Sequence, residues 1–216
     1  MLDPWLSYLD FVDTHPQFFK NDGPLKIIFN SKKVLDYEKN HPGVVIGMVY
    51  RSSWHVVLVD LVYDGSDYFA YERVVSVSQG AVVIVPIYND KFVLLRQFRH
   101  AIRESEFAFP RGFGDSSMVP MENAYREVCE ELGITKDNIH GMTFLGKVHP
   151  DSGFLADTVY VYCCQINKYS VRKGYEGIQN ISLFSFYDLA SAVYRGEIQD
   201  GFTLASLSLC HSFTEK

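Results

Sequence analysis

The chain has 216 residues, 47% of them hydrophobic, and its formal net charge at pH 7 is −6. A chain of this kind buries a sizeable core, as one large α/β domain or as one domain with an appended region, and its negative charge argues against binding to nucleic acid or to an anionic membrane. We expect a cytoplasmic protein, because no apolar run reaches membrane-spanning length, the N-terminus lacks the basic segment of a signal peptide, and the four cysteines show no metal-ligand spacing.

Residues 1–77 are predicted to form a short helix followed by a small antiparallel sheet. Asp64-Gly65 separates two runs rich in β-branched and aromatic residues, which is the pattern of a β-hairpin. Residues 31–43 are polar and mixed and end in a turn signal, so they receive no predicted helix or strand. The predicted elements are a helix over residues 3–13, a strand-like segment at 25–30, and strands at 44–50, 54–63 and 68–77.

Residues 78–216 are predicted to form a second domain. A β-rich order with a helix between strands indicates an α+β or mixed α/β fold whose helices pack on the faces of a sheet. The predicted strands are at 81–88, 92–96, 142–148, 158–166 and 181–186, and the predicted helices are at 120–132, 188–195 and 201–211.

The most informative segment is residues 112–134. Glu127, Glu130 and Glu131 fall at positions i, i+3 and i+4 of the predicted helix and therefore share one stripe of its surface. Carboxylates so close repel each other, and a hard divalent cation with oxygen ligands, Mg²⁺ or Mn²⁺, is their natural counterion. A solvated acidic helix face is an equally good interpretation of this charge run taken alone.

The residues around the stripe favour the metal. Pro120 suits the first turn of a helix and Gly133 suits its end. The four-residue spacing of Ala124, Val128 and Leu132 gives the helix an apolar side to bury. We therefore expect a docked helix whose acidic stripe faces the loop at residues 110–114.

This segment, which we call the box, resembles the signature of the Nudix hydrolases: Gly, five residues, Glu, seven residues, then Arg-Glu-apolar-x-Glu-Glu-x-Gly-apolar. Residues 71–86, 95–101, 149–154 and 196–203 are similar to the ADP-ribose and nucleoside diphosphate sugar pyrophosphatase branch of that family. Two positions depart from the pattern, since Met118 replaces the first Glu of the box and Ala108 replaces a Glu usual in the branch. The matching box residues are Gly112, Arg126, Glu127, Val128, Glu130, Glu131, Gly133 and Ile134.

The resemblance implies a Nudix α/β/α sandwich and a set of site residues. The implied metal ligands are Glu127 and Glu131, with Glu130 assisting and the Arg111 backbone carbonyl completing the site for Mg²⁺ or Mn²⁺. Arginine forks match phosphate oxygens. The implied substrate contacts are Arg96, Arg99, Arg111 and, in a Pro-x-x-Gly-Phe loop, Phe154.

A general base is also implied, on a loop after the box. Glu176 is the only acidic residue between Asp157 and Asp188, and glycines flank it. An ordinary exposed loop glutamate remains the alternative interpretation, and Glu130 is the next candidate for the base.

The sequence thus predicts metal-dependent hydrolysis of the pyrophosphate bond of a nucleoside diphosphate derivative, with ADP-ribose or a nucleoside diphosphate sugar favoured. The alternative is a non-catalytic nucleotide-binding sensor with a degenerate box, which Met118 and Ala108 favour and the three intact glutamates oppose. We also expect a homodimer formed through the aromatic-rich strands of residues 44–77, because an exposed sheet edge or apolar face invites pairing.

Overall fold

The computed structural model describes the backbone of residues 3–214 and the side chains of residues 3–210. The ends of the predicted regions 1–77 and 78–216, residues 1–2 and 215–216, lie outside the described residues. The described chain divides into two compact units. The first runs to Val77 and includes Asp151–Asp157, and the second contains Ser78–Pro150 and the residues from Thr158 onward.

Among the described residues, the first unit contains two α-helices, one short 3₁₀ helix (Pro16–Phe18) and four strands. The second helix was not predicted: Asn30 caps it by accepting a hydrogen bond of 3.0 Å from the Lys33 amide, and its one buried residue, Val34, gives little apolar periodicity to detect. The predicted strand at 25–30 is reduced to two residues. The elements are α1 (Pro4–Thr14), β1 (Lys26–Ile27), α2 (Ser31–Asn40), β2 (Gly47–Arg51), β3 (His55–Tyr63) and β4 (Tyr68–Ser76).

The sheet of the first unit is antiparallel and built around β3, which pairs with β4 over its whole length and with β2 and β1 at its two ends. A buried polar network joins α1 to this sheet: the Tyr8 hydroxyl donates to the Asp60 carboxylate, which also accepts from Arg73 Nε at 2.5 Å. The segment from residue 151 extends the edge at β4, since the Val74 amide donates to the Phe154 carbonyl at 2.9 Å.

In the part of the chain that the structure describes, the second unit contains seven strands, three α-helices and two short 3₁₀ helices (Lys136–Asn138 and Tyr175–Gly177). Its elements are β5 (Val82–Tyr88), β6 (Lys91–Arg99), β7 (Glu104–Ala108), β8 (Arg111–Gly112), α3 (Pro120–Leu132), β9 (Ile139–Val148), β10 (Val159–Ile166), β11 (Ile178–Phe184), α4 (Phe186–Tyr194) and α5 (Gly201–Thr214).

One mixed sheet organises the second unit, in the order β11-β6-β5-β10-β9, with β7 paired to β6 and β8 paired to β5. Strands β5 and β10 are parallel and the other pairs are antiparallel. Two strands, β7 and β8, were not predicted. Strand β7 is short and follows a tight turn in which Arg103 has φ 59°. Because an arginine rarely adopts a positive φ, the sequence does not predict this turn or the strand after it.

Helices cover both faces of this sheet. Val82 and Ile84 of β5 pack with the apolar side of α3, whereas Val83 and Val85 pack with α4 and α5. Successive side chains of a strand point to opposite faces, so one strand supplies both cores. The predicted α+β class with helices on the sheet faces is confirmed. No helix within residues 3–214 is long and apolar enough to cross a membrane.

Candidate active site

Two glycines of the box allow its loop to lie against the neighbouring chain. A Cβ atom on Gly112 would overlap the carboxylate of Glu127, and one on Gly114 would overlap the backbone carbonyl of Gln79. A side chain at Gly112 would force the loop away from α3, and one at Gly114 would force it away from the backbone at Gln79. The box glycines are therefore required for close approach.

The carboxylates of α3 differ in burial. Glu131 is 1% exposed and Glu127 is 7% exposed, whereas the side chain of Glu130 is 37% exposed. Burial raises the pKa of Glu127 to about 7 and that of Glu131 to about 8. Desolvation disfavours the charged form of a carboxylate, so two such neighbours are poised to accept a cation.

A second set of contacts braces the helix against its loop. Arg126 donates to Glu127 Oε1 at 2.5 Å, to Glu130 Oε2 at 3.0 Å and to Asn123 Oδ1 at 2.7 Å. Asn123 is fully buried and donates in turn to the Phe113 carbonyl at 2.8 Å. Arg126 therefore has three partners within the box helix, and no ion pair joins it to Glu122 in the described part of the chain.

Arg111 links the box to the start of α5. Its backbone amide donates to Glu131 Oε2 at 3.0 Å, and its guanidinium donates to Asp200 Oδ1 at 2.7 Å and stacks over Phe202 at 4.9 Å. Asp200 also accepts from the amide and hydroxyl of Thr203, at 3.0 and 2.8 Å, and so caps α5. The carboxylate of Asp200 thus holds the Arg111 side chain against a helix terminus.

Arg99 lies within electrostatic range of Arg111, Asp200 and Glu131. Among the described residues, its Nε and Nη2 atoms are buried and have no hydrogen-bond partner. Burial and, after it, the charge of Arg111 lower the pKa of Arg99 to about 10, although the charges of Asp200, Glu131 and Glu106 act in the opposite direction. A buried donor without a partner is costly, so this guanidinium is ready to bind an anion.

Glu176 comes close to the same carboxylates. Its charge contributes to raising the pKa values of both Glu127 and Glu131, although it is exposed itself. Its backbone carbonyl accepts from Gln97 Nε2 at 2.8 Å. The structure therefore gathers Glu127, Glu131 and Glu176 with Arg99 and Arg111 at one place in the second unit.

Other predicted residues lie elsewhere. The guanidinium of Arg96 stacks over Phe107 at 4.7 Å, and Phe107 packs against the core that α4 and α5 cover, on the sheet face opposite α3. Phe154 belongs to the first unit, where the residue is 44% exposed. A substrate contact by either residue stays a prediction. Of the two departures from the family pattern, Ala108 is fully buried and Met118 is exposed.

Several residues of the site were not predicted. Asn123, Gln97 and Asp200 act through contacts with residues far away in sequence or through backbone groups. For Asn123 a signal existed: it lies three residues before Arg126, on the same side of the helix.

Comparison with known proteins decides the family. The model of the NUDIX domain matches residues 77–190, more than half of the chain. The chain belongs to the Nudix family. The matched residues include the whole Nudix box, Arg99 and Glu176.

Two known proteins are similar to this Nudix chain. The ADP compounds hydrolase NudE of Escherichia coli (strain K12) is 29% identical over 107 residues, which is 50% of this chain and 56% of that protein. The chain thus aligns with little more than half the length of this relative. A crystal structure of an ADP compounds hydrolase superposes with a TM-score of 0.64 at 19% identity, covering 80% of this chain and 92% of that one. The predicted Nudix fold is confirmed by this likeness.

Proposed function

We propose that the protein is a metal-dependent pyrophosphohydrolase that cleaves the diphosphate of a nucleoside diphosphate derivative. ADP-ribose and nucleoside diphosphate sugars are the favoured substrates. The family supports hydrolysis of this kind of bond, and the name of the relative NudE points to adenosine diphosphate compounds. The identity of the nucleobase and of the sugar in the substrate is our inference.

One observation carries the proposal: the buried guanidinium of Arg99 lies close enough to the buried carboxylate of Glu131 for their charges to interact. Glu127 and Glu131 are buried carboxylates with raised pKa values, and Arg99 is a buried guanidinium with two unpartnered nitrogens. Glu127 is paired with Arg126, but Glu131 forms no ion pair among the described residues, so a cation would stabilise its charge, and an anion would satisfy the guanidinium of Arg99. A diphosphate bound with a divalent cation supplies both at once.

The residues fit a divalent cation that is shared with substrate. Within the described residues, no three His, Cys, Asp or Glu side chains are grouped as a metal cluster. Mg²⁺, however, is usually bound through one or two carboxylates together with substrate phosphates and water, not by a cage of protein ligands. Glu127 and Glu131 would supply those carboxylates, with Glu130 and the Arg111 carbonyl assisting. When bound, Mg²⁺ or Mn²⁺ would neutralise phosphate charge and make water more acidic.

The chain's own residues then have distinct roles. Arg99 and Arg111 orient the diphosphate, because their forks match phosphate oxygens. The carboxylate of Glu176 accepts a proton from the attacking water. The water oxygen forms a bond to one phosphorus as the bond from that phosphorus to the bridging oxygen breaks. For ADP-ribose the products are AMP and ribose 5-phosphate.

The test is a panel of nucleoside diphosphate derivatives assayed with and without Mg²⁺ or Mn²⁺. We expect phosphate monoesters to be released from ADP-ribose or from ADP-, UDP- or GDP-sugars only when metal is present. Binding without release by the wild-type protein would instead support the non-catalytic sensor. Release that is unaffected by a chelator would contradict the metal site.

A homodimer and a cytoplasmic location complete the proposal. Support for the dimer comes from the first unit, where β2 is an edge strand and the side chains of Val49, Tyr50 and the nearby Trp54 are 43%, 58% and 61% exposed. Apolar side chains beside an unpaired strand edge favour association.

A further inference from the structure

The loop that carries Glu176 is attached to β6. Gln97, a β6 residue only 3% exposed, donates from Nε2 to the carbonyl of Glu176 at 2.8 Å. One residue further on, a Cβ atom at Gly177 would lie 3.0 Å from the carbonyl of Phe98, so the two backbones are pressed together there. Gln97 and Arg99 are two residues apart on β6, so the same strand face carries the loop contact and the unpartnered guanidinium.

The other end of the loop is attached to the C-terminus of the box helix. The Ser170 amide donates to the Leu132 carbonyl at 2.8 Å, and Arg172 Nη1 donates to the Glu130 carbonyl at 2.7 Å. Carbonyls in the last turn of a helix have no partner within the helix, so these contacts satisfy them. Arg172 also stacks over Tyr175 at 4.1 Å, and the Tyr175 hydroxyl lies 3.4 Å from Glu130 Oε2.

The backbone between these attachments is unusual. Glu176 has φ 45° and ψ 31°, the left-handed conformation that residues other than glycine rarely adopt. Gly174 and Gly177 also have positive φ values, of 82° and 80°. Such a conformation persists only when the surrounding structure imposes it. The hydrogen bond from Gln97 acts on the peptide group of Glu176 itself.

We propose that Gln97, together with Arg172 at the far end of the loop, is a positioning residue that holds the Glu176 carboxylate toward Glu127 and Glu131. This inference rests on the proposed role of Glu176 as general base. Neither residue needs to touch substrate. The contact of Gln97 is with Glu176 itself, so its effect on turnover passes through Glu176, whereas Arg172 acts on both the loop and the box helix. This difference predicts how the Gln97 and Glu176 variants combine.

A double-mutant cycle tests that dependence. Gln97→Met keeps the length of the side chain and removes its hydrogen bond. We expect kcat to fall by about tenfold or more while KM changes by less than about threefold, because misplacing a catalytic group costs transition-state interactions. In the Glu176→Gln background the same change should alter kcat by less than about twofold, since the base is already lost.

The matched control is Gln165→Met, the same substitution at an exposed glutamine of β10. Gln165→Met should leave kcat and KM unchanged. Equal losses of kcat from Gln97→Met in the wild-type and Glu176→Gln backgrounds would show that Gln97 acts through another group. No loss in the wild-type background would overturn the proposal as well.

A second variant and a second measurement guard against misfolding and inactivity. Arg172 is exposed, so Arg172→Met should leave the core intact and should lower kcat in the wild-type background by loosening the loop. Hydrogen exchange of residues 172–178 should become faster in both variants, because the amides of Gly174 and Tyr175 are hydrogen-bonded within the loop. Unchanged exchange would refute the positioning role. If exchange becomes faster in the variants but the wild-type protein hydrolyses none of the panel, the proposed function is refuted, whereas the role of Gln97 and Arg172 in attaching the loop is supported.

Discussion

The backbone amide of Arg111 donates a hydrogen bond of 3.0 Å to Oε2 of Glu131, the most deeply buried carboxylate of the box helix. This bond ties β8 to α3 and fixes one oxygen of Glu131 on the loop. The second carboxylate oxygen is left for another partner. Glu131 is thus a structural hydrogen-bond acceptor as well as the proposed metal ligand, and a substitution that keeps its shape but removes its charge separates the two roles.

Glu131→Gln should abolish most activity while preserving the fold. The amide oxygen of glutamine still accepts from Arg111, whereas the charge that would bind the metal is lost. We expect activity to fall by at least about 100-fold, since metal-ion catalysis supplies several kcal/mol. The matched control is Glu122→Gln, an exposed position on the same helix, which should behave as wild type. Wild-type turnover in Glu131→Gln would exclude Glu131 as a ligand.

The stability of the metal-free protein should fall as pH rises from about 5 to 8. Burial raises the pKa of Glu131 to about 8 and that of Glu127 to about 7, above the usual 4.5. The stabilisation that comes from keeping them protonated is complete below pH 4.5 and is lost as pH rises through the folded-state pKa. Thermal unfolding in EDTA should show this decline, and Glu131→Gln should flatten it. If the unfolding temperature of the wild-type protein rises with pH across this range relative to that of Glu131→Gln, the predicted direction of the pH dependence is wrong.

The box helix was predictable because all its signals are local. Pro120 begins it, Gly133 ends it, and the apolar stripe between them has the helical period, so the predicted bounds of 120–132 match α3. Helix α2 was missed because it buries only Val34. Its stability comes from a cap and from packing, which sequence periodicity does not report.

The part of the site outside the box depends on contacts distant in sequence. Asp200 lies 89 residues from Arg111, and Gln97 lies 79 residues from Glu176. Neither pair leaves a spacing signal in a single sequence. Family resemblance implied Arg96, Arg99 and Arg111 together, and the unpartnered nitrogens that distinguish Arg99 are visible only after folding.

Arg99→Met should weaken substrate binding without destabilising the protein. The net lowering of its pKa shows that the folded protein disfavours the charge, so removing it should leave the free energy of unfolding unchanged or higher. Loss of charge-assisted hydrogen bonds to phosphate should raise KM by about tenfold to a hundredfold. Arg103→Met is the control: Arg103 is exposed and pairs with His100, so KM should not change. A marked loss of stability in Arg99→Met would point to a structural role.

The homodimer can be tested by light scattering at micromolar concentration. We expect a mass of about twice the 24.7 kDa of the chain. Tyr50→Glu places a charge among the exposed side chains of edge strand β2 and should shift the mass toward that of the monomer, because charges on an edge oppose pairing. A monomeric wild-type protein would exclude the dimer.

Glu176→Gln should lower kcat by about 10²–10⁴-fold with little change in KM or in metal affinity, since a general base contributes that much to the rate. Its carboxylate is near enough to Glu127 and Glu131 to raise their pKa values, yet it is exposed and stands on a separate loop. Glutamine keeps the backbone contact with Gln97, so the loop should remain attached.

Steady-state kinetics and metal titration of the same variant separate the alternatives for Glu176. Glu122→Gln again serves as the matched control. If Glu176→Gln loses metal binding together with turnover, Glu176 is a ligand and not the base. If it retains wild-type kcat, the base lies in the box. Glu130 is then the next candidate, because it is more exposed than Glu127 and Glu131 and its Oε2 already shares hydrogen bonds with Arg126 and Tyr175.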